Sequence, residues 1–231
     1  MSDYVMTAEE FCQALVDAVG QKTLYVMGCF GAPLTPKNKD RYTRNYAYNS
    51  SAARAKKIKE ATPDTFGFDC VCLVKGILWG WDADPYAVYG GAVYQSNGVP
   101  DVGTEKMIGM CSDVSEDFSS LTDGELLWSK GHVGVVVDAA NGIAVECTPA
   151  WKDGVQKTAI GGVPRSAEAN MYHTRTWTKH GKLPWIEYPK EPVTIYKVQV
   201  GAYKVRSNAE KKLAEVKSAG FPSAYIVEET K

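Results

Sequence analysis

The chain has 231 residues, 45% of them apolar, and a formal net charge of −1. This length allows one sizeable core with a small appendage, which excludes a miniature disulfide scaffold. No apolar run approaches the ~20 residues of a membrane-spanning helix, and the beginning of the chain lacks a basic segment followed by an apolar one. We therefore expect synthesis in the cytoplasm without a signal peptide, and no membrane insertion.

The six cysteines are expected to be free thiols, because the absence of a signal peptide indicates a reducing compartment. The spacing of Cys70 and Cys72 is too short for a usual zinc knuckle, and the other cysteines are scattered singly. We therefore expect no metal and no cofactor.

An N-terminal helix is predicted first in the chain. Thr7 and Glu10 have the capping-box spacing, Phe11 and Leu15 continue at helical spacing, and Gly20 ends the element. The next segment, TLYVMGCFGAPL, indicates a short strand that enters a Gly/Pro loop.

Residues 37–60 are locally basic, with eight Lys and Arg against Asp40 and Glu60. Such a segment could bind an anionic polymer, either nucleic acid or wall teichoic acid. The alternative is a solvated helix and loop on a surface insertion, which we favour, and we expect no nucleic-acid partner.

The segment FGFDCVCLVKGILWGW predicts a buried helix from Cys70 to Trp79, with Asp69 as N-cap and Gly80 after its end. Cys70 would then lie in the first turn. There, unpaired backbone N–H groups and the positive end of the helix dipole favour the thiolate, which is the nucleophilic form of cysteine. The same N–H groups could stabilise an oxyanion.

After an irregular stretch over residues 82–125, ELLWSKGHVGVVVD and GIAVECTPAW predict two β-strands joined near Asn141 and Gly142. Helices followed by strands indicate an α+β fold. His132 opens an apolar strand and is the candidate general base, although a structural histidine bonded to a carbonyl would fit the same position. We predict that His173 and His180 are surface residues.

Glu146 is the candidate third group that orients His132, because a carboxylate within an apolar strand is costly unless it has a partner. A tight turn at Asn141 and Gly142 would place His132 and Glu146 on opposite faces of the sheet. The pairing therefore requires a wider or bulged connection.

Residues 178–194 contain three prolines and no clear period, which predicts a linker after a first domain over residues 1–177. Residues 195–231 follow as a small βαβ unit. Its strands are predicted in IYKVQVGAY and SAYIVEE, and its helix begins with a capping box at Ser207 and Glu210.

The segments LYVMGCFG, FDCVCLV, GHVGVVVD and VECTP resemble the NlpC family of papain-like peptidoglycan peptidases. The resemblance implies a papain-like fold, with N-terminal helices packed on an antiparallel sheet, and a catalytic trio of Cys70, His132 and Glu146. It matches Tyr25 to the active-site tyrosine of the family. We expect Tyr25, Asp69 and Trp151 to contact the substrate.

The C-terminal segment YKVQVGAYKVRSNAEKKLAEVKSAGFPSAYIV is similar to one SPOR repeat, a module that attaches proteins to the glycan strands of peptidoglycan. A complete module has two βαβ halves, and this sequence contains one. The resemblance therefore implies that two copies of the chain pair through this half-repeat as a homodimer.

Together, the two resemblances imply an endolysin-like hydrolase that is made in the cytoplasm and acts at the bacterial cell wall. Cys70 would cleave an amide bond of the stem peptide through a thioester. An N-acetylmuramoyl-L-alanine amidase with the same trio is the nearest alternative. The alternative from another class is a non-catalytic wall-binding or structural protein in which Cys70 is a buried core thiol.

Overall fold

The computed structural model describes residues 5–189 and 199–228. The chain divides into two compact units, the first ending at Pro189 and the second beginning at Lys190. The helices are α1 (Ala8–Gly20), α2 (Pro36–Asn45), α3 (Ala47–Ser50), α4 (Ala52–Glu60), α5 (Cys70–Leu78) and α6 (Thr104–Met110) in the first unit, and α7 (Arg206–Ser218) in the second. The strands are β1 (Met6–Thr7), β2 (Thr23–Tyr25), β3 (Phe30–Pro33), β4 (Phe66–Phe68), β5 (Ser112–Ser115), β6 (Leu126–Ser129), β7 (His132–Asp138), β8 (Ile143–Thr148), β9 (Gly154–Ile160), β10 (Thr174–Arg175), β11 (Lys179–Lys182) and β12 (Ile186–Glu187).

The first unit has the predicted α+β class and is built on a seven-stranded sheet. Its strand order is β10-β9-β8-β7-β6-β11-β5. All neighbours are antiparallel except β10 and β9. Helices α1 and α5 pack against β7 and β8, and a three-stranded sheet of order β2-β4-β3 lies before α5 in the chain. The main core lies between these helices and the large sheet.

Helix α1 begins as the sequence predicts. The Thr7 hydroxyl accepts a hydrogen bond from the Glu10 N–H at 3.2 Å, and the Glu10 carboxylate accepts one from the Thr7 N–H at 2.8 Å. Phe11 and Leu15 lie on the buried face. The predicted capping box is confirmed.

The basic segment folds as α2, α3 and α4 and is fixed to the rest of the unit by buried polar contacts. The Asn49 amide donates to the Met27 carbonyl at 3.0 Å and accepts from the Met27 N–H at 3.0 Å. Asp153, in the turn before β9, accepts from Arg54 at 2.7 Å and from Lys57 at 2.5 Å. Part of the basic charge is therefore used to hold the insertion in place.

Two predicted regions of the first unit are organised differently from the expectation. The stretch ELLWSKGHVGVVVD forms two strands rather than one, because Gly131 adopts a φ of +76° and turns the chain between Ser129 and His132, which pair with each other. The segment over residues 82–125, predicted as irregular, contains α6 and β5.

The linker predicted over residues 178–194 is wrong in its first part. Strand β11 pairs with β6 and β5 inside the seven-stranded sheet. His180, predicted at the surface, is 3% exposed, and its Nδ1 lies 2.6 Å from the Glu125 carboxylate. This buried partner and the strand pairing outweigh the irregular sequence pattern, and the first unit continues to Pro189.

The second unit, taken by itself, contains α7, which has no buried residue. The strand predicted in SAYIVEE is wrong for residues 223–228, because within residues 199–228 the structure forms no strand. The strand predicted in IYKVQVGAY is absent over residues 199–203, and its remaining residues lie outside the described part of the chain. A single half-repeat offers little surface on which a strand could bury its apolar face. Within the described residues, no helix combines the length and apolarity needed to cross a bilayer.

Candidate active site

Helix α5 begins at Cys70 and is capped by Asp69. One carboxylate oxygen of Asp69 accepts the Cys72 N–H at 2.7 Å, and the other accepts the Gly28 N–H at 2.7 Å. Asp69, predicted to contact substrate, thus ties the start of α5 to the loop after β2. It also lines a cavity beside the helix.

The Cys70 thiol lies at the junction of α5 and β7. It is 6% exposed. Burial, followed by the charge of Asp69, raises the pKa of Cys70 to about 12, although the N–H groups of Val133, Val71 and Cys70 itself act in the opposite direction. The helix N-terminus favours the thiolate, but desolvation outweighs this effect. The thiol keeps its proton until a base removes it.

The His132 ring and the Glu146 carboxylate form a hydrogen bond of 2.7 Å through Nε2. The required bulge is present: Val136 pairs with Ala144 and Asp138 with Ile143, so that β7 carries one extra residue. Because side chains alternate along a strand, this extra residue places His132 and Glu146 on the same face.

Glu146 is 0% exposed and also accepts a hydrogen bond from Arg175 Nε at 2.7 Å. Burial favours the neutral carboxyl, but the hydrogen bonds and charges of His132 and Arg175 outweigh it and hold the pKa of Glu146 below its usual value. An ionised carboxylate can only accept, so Nε2 of His132 carries the hydrogen in this bond. Nδ1 is then the ring nitrogen that can take a proton from a thiol.

A stack of flat side chains extends from this pair to the surface. The His132 ring stacks on Trp177 at 5.6 Å with an interplanar angle of 8°. The Arg175 guanidinium lies 5.7 Å from the Trp177 ring and 4.9 Å from the Trp151 ring. Trp151 stacks on His173 at 4.8 Å. Trp151, predicted to contact substrate, is 44% exposed at the outer part of this stack.

Sequence reasoning missed Arg175 and Trp177. They lie in a segment without clear periodicity, and β10 reaches Glu146 only by pairing in parallel with β9. The one local signal in the sequence is Gly134 itself. In the structure, a Cβ at this position would lie 2.9 Å from the Trp177 ring. The glycine that follows His132 and Val133 thus leaves room for the tryptophan that supports the histidine.

Tyr25 lies near the start of α5 and is 6% exposed, and its contact with the substrate stays a prediction. Strand β2 pairs with β4, and Tyr25 lies opposite Phe68, two residues before Cys70. Burial, then the neighbouring Cys70 and Asp69, raise the pKa of Tyr25 well above its usual value. Its hydroxyl is therefore a neutral hydrogen-bond donor.

All six cysteines are free thiols. Cys72 is buried, and Cys147 donates to the Phe68 carbonyl at 3.3 Å within the core. A second cavity, of about 510 Å³, lies beside α1 and is lined by Glu9 and Asp123. We place the candidate active site at α5 and β7, because the Cys70 thiol and the hydrogen-bonded pair of His132 and Glu146 meet there.

Comparison with known proteins identifies one part of the chain. A family model for the SPOR domain matches residues 192–231. This is a peptidoglycan-binding domain, so peptidoglycan is the partner of this region and the protein associates with the cell wall. The predicted SPOR-like repeat is confirmed. No curated protein matches the chain.

Proposed function

We propose that the protein is a peptidoglycan hydrolase that cleaves an amide bond of the stem peptide, with Cys70 as nucleophile, His132 as general acid and base, and Glu146 as the group that orients His132. The C-terminal SPOR domain supplies wall binding. The observation that carries the proposal is the hydrogen bond of 2.7 Å between the buried Glu146 carboxylate and His132 Nε2. His132 is followed on β7 by Val133, whose N–H interacts with the Cys70 sulfur.

In the proposed reaction, Nδ1 of His132 takes the thiol proton as the Cys70 sulfur attacks the amide carbonyl. The proton then passes to the leaving amine, the C–N bond breaks and a thioester remains. Water, deprotonated by His132, attacks the thioester, and the C–S bond breaks to release the acid and restore the thiol. Glu146 stabilises the imidazolium in both steps.

Burial raises the pKa of Cys70, which makes the thiol a poor nucleophile by itself. Attack therefore requires that His132 takes the thiol proton. Backbone N–H groups in the first turn of α5 are available to the developing oxyanion.

The resemblance to the NlpC family points to the bond between D-glutamate and the diamino acid. The amidase alternative uses the same chemistry on the bond between muramic acid and L-alanine. The non-catalytic alternative has one observation in its favour, namely the burial of Cys70, 6% exposed. In favour of the hydrolase, the Glu146 carboxylate is buried against a histidine and an arginine on the strand that contacts the Cys70 helix, and clusters of ionisable groups with shifted pKa values are common at functional sites.

Turbidity of purified walls, followed by mass spectrometry of the released fragments, tests the proposal. The wild type should clear the walls, and Cys70→Ser should not. New amino termini on the diamino acid indicate the peptidase, whereas free L-alanine amino termini indicate the amidase. Absence of any released fragment with several wall types, despite retained wall binding, would support the non-catalytic alternative.

A further inference from the structure

A cavity of about 480 Å³ adjoins the candidate active site. Asp69 and Val71, the two neighbours of Cys70 in the chain, both line it, and its wall continues along α5 to Lys75. From Val71 to Lys75 the helix rises by about 6 Å, which matches about two residues of extended peptide. Neither Cys70 nor His132 lines the cavity itself, so it lies beside the candidate active site and has the length of about two residues of a bound peptide.

The basic insertion forms another part of the wall of this cavity. Arg41, Tyr42 and Tyr46 of this segment line it. Tyr46 packs directly on Gly28, where a Cβ would lie 2.0 Å from the tyrosine ring. Because Asp69 also binds the Gly28 N–H, the insertion is joined to the start of the nucleophile helix.

Most charged groups around the cavity are already paired. Lys75 is 3% exposed; its Nζ bonds to Asp101 and, at 3.1 Å, to the Val102 carbonyl. Asp101 also accepts from the Tyr94 hydroxyl at 2.8 Å, and both oxygens of Asp69 accept backbone N–H groups. None of these groups is left to bind a charged ligand.

Arg41 is different, because its guanidinium is held in place without a carboxylate. It lies 5.4 Å from the Tyr42 ring and 5.5 Å from the Tyr89 ring. Nη1 donates to the Tyr89 hydroxyl at 2.8 Å. Among residues 5–189, no carboxylate lies within ion-pair distance of it, and the adjacent Asp40 pairs with Arg44 instead. A guanidinium has five N–H donors in a fixed fork, so most of them are available for a planar anion.

We propose that this cavity binds a free carboxylate of the stem peptide, with Arg41 as the residue that selects it. The proposal rests on the proposed function, because the carboxylate belongs to the peptide that Cys70 would cleave. A carboxylate matches the guanidinium fork in a bidentate manner, whereas its amide does not. The cavity would therefore distinguish stem peptides with a free D-glutamate α-carboxylate from amidated ones.

The test uses two synthetic stem peptides that differ only in whether the D-glutamate α-carboxyl is free or amidated. With the full-length protein, Arg41→Met should raise KM for the free acid by about 10-fold or more, since the variant loses a charge-assisted bidentate contact. The kcat and the KM for the amide should stay within about two-fold. Arg41→Lys should give an intermediate KM. The control is Arg44→Met, on the same helix and outside the cavity lining. It should leave the KM of both peptides unchanged.

Several outcomes would overturn the inference. One is an equal loss of activity of Arg41→Met on both peptides, which would mean that Arg41 has a structural role. Another is an effect seen only on whole walls and abolished by salt, which would indicate an anionic wall polymer as the ligand. If the wild type cleaves neither peptide, the proposed function fails. The binding affinities of the two peptides then test separately whether Arg41 selects the carboxylate. Calorimetry with the Cys70→Ala protein should then show tighter binding of the free acid, and Arg41→Met should remove that preference.

Discussion

The two units of the chain differ in how they use their apolar side chains. In the described part of the first unit, residues 5–189, buried side chains form four hydrophobic clusters. In the second unit, described by itself, α7 has no buried residue. Six large apolar side chains there are more than one third exposed, namely Val200, Tyr203, Val205, Phe221, Tyr225 and Val227. Yet the second unit is the one that a family model recognises.

The difference shows that a recognisable sequence and a well-packed core serve different needs. A catalytic site requires groups held within a fraction of an ångström, which only a packed scaffold provides. A short wall-binding repeat can keep its contact residues at the surface, where a partner completes the burial. We therefore expect substitutions in the first unit to affect chemistry and stability, and changes in the second to affect attachment to the wall.

The largest effect is expected from Cys70→Ala. Hydrolysis of walls and of soluble stem peptides should fall by about 10³-fold or more, because no other group can form the thioester. Binding to intact walls should be unchanged, since it belongs to the second unit. Cys111→Ala, at a half-buried thiol away from the site, is the matched control for both assays. A Cys70→Ala protein that still clears walls would disprove the assignment of the nucleophile.

How far the sequence anticipates this site depends on local spacing. Cys70 and His132 each begin an element beside a recognisable signal, an N-cap aspartate in one case and a glycine turn in the other. The sequence could not predict that Glu146 lies on the same face of the sheet as His132. This arrangement depends on one extra residue, Val137, in β7. Arg175 was out of reach, since strand pairing between distant segments brings it to Glu146.

The predicted βαβ unit shows the opposite limit. The alternating pattern in SAYIVEE favours a strand, but alternation specifies a strand only when another strand or a core covers one face. Residues 223–228 lack that cover in the structure. The assignment of this segment to the SPOR domain was nevertheless correct, because it depends on residue identities rather than on burial.

The second largest effect is expected from Arg175→Met. This change leaves the buried Glu146 carboxylate with His132 as its remaining partner, so we expect a loss of about 3 kcal/mol in unfolding free energy and about 10- to 100-fold in kcat. Urea unfolding and peptide kinetics measure both quantities. Arg165→Met provides a control, because Arg165 bonds to the exposed Thr174 hydroxyl at 2.7 Å and does not reach Glu146.

The pH dependence of the same pair sharpens this test. The pKa of Glu146 is held below its usual value by His132 and Arg175 against the effect of burial. A lowered folded-state pKa contributes stability above the ordinary carboxyl pKa of about 4.3, and this contribution is lost as the pH falls further. The gap in unfolding free energy between wild type and Arg175→Met should therefore be full at pH 7 and shrink below about pH 4. A gap that is constant across this range would mean that Arg175 acts through packing alone.

Removal of residues 190–231 tests the second unit. Retention on purified walls should fall by about 10-fold or more, because the tethered domain raises the local concentration of the catalytic unit at its substrate. Hydrolysis of soluble stem peptides should stay within about two-fold, since the clusters that form the core all lie in residues 5–189. A truncated protein that binds walls as tightly as the full chain would place the wall-binding surface in the first unit instead.

The smallest effect is expected from Gly134→Ala. An added methyl group would lie 2.9 Å from the Trp177 ring, so the ring must shift. We expect a loss of about 1–3 kcal/mol in unfolding free energy, as for other overpacked sites.

Because Trp177 stacks on His132 at 5.6 Å, the same shift should lower kcat by several-fold while KM changes little. Gly109→Ala is the matched control, because a Cβ there meets nothing within 4 Å, and alanine within α6 should be neutral or stabilising by up to about 1 kcal/mol. If Gly134→Ala loses stability but keeps its full kcat, the stack supports the fold and not the orientation of His132.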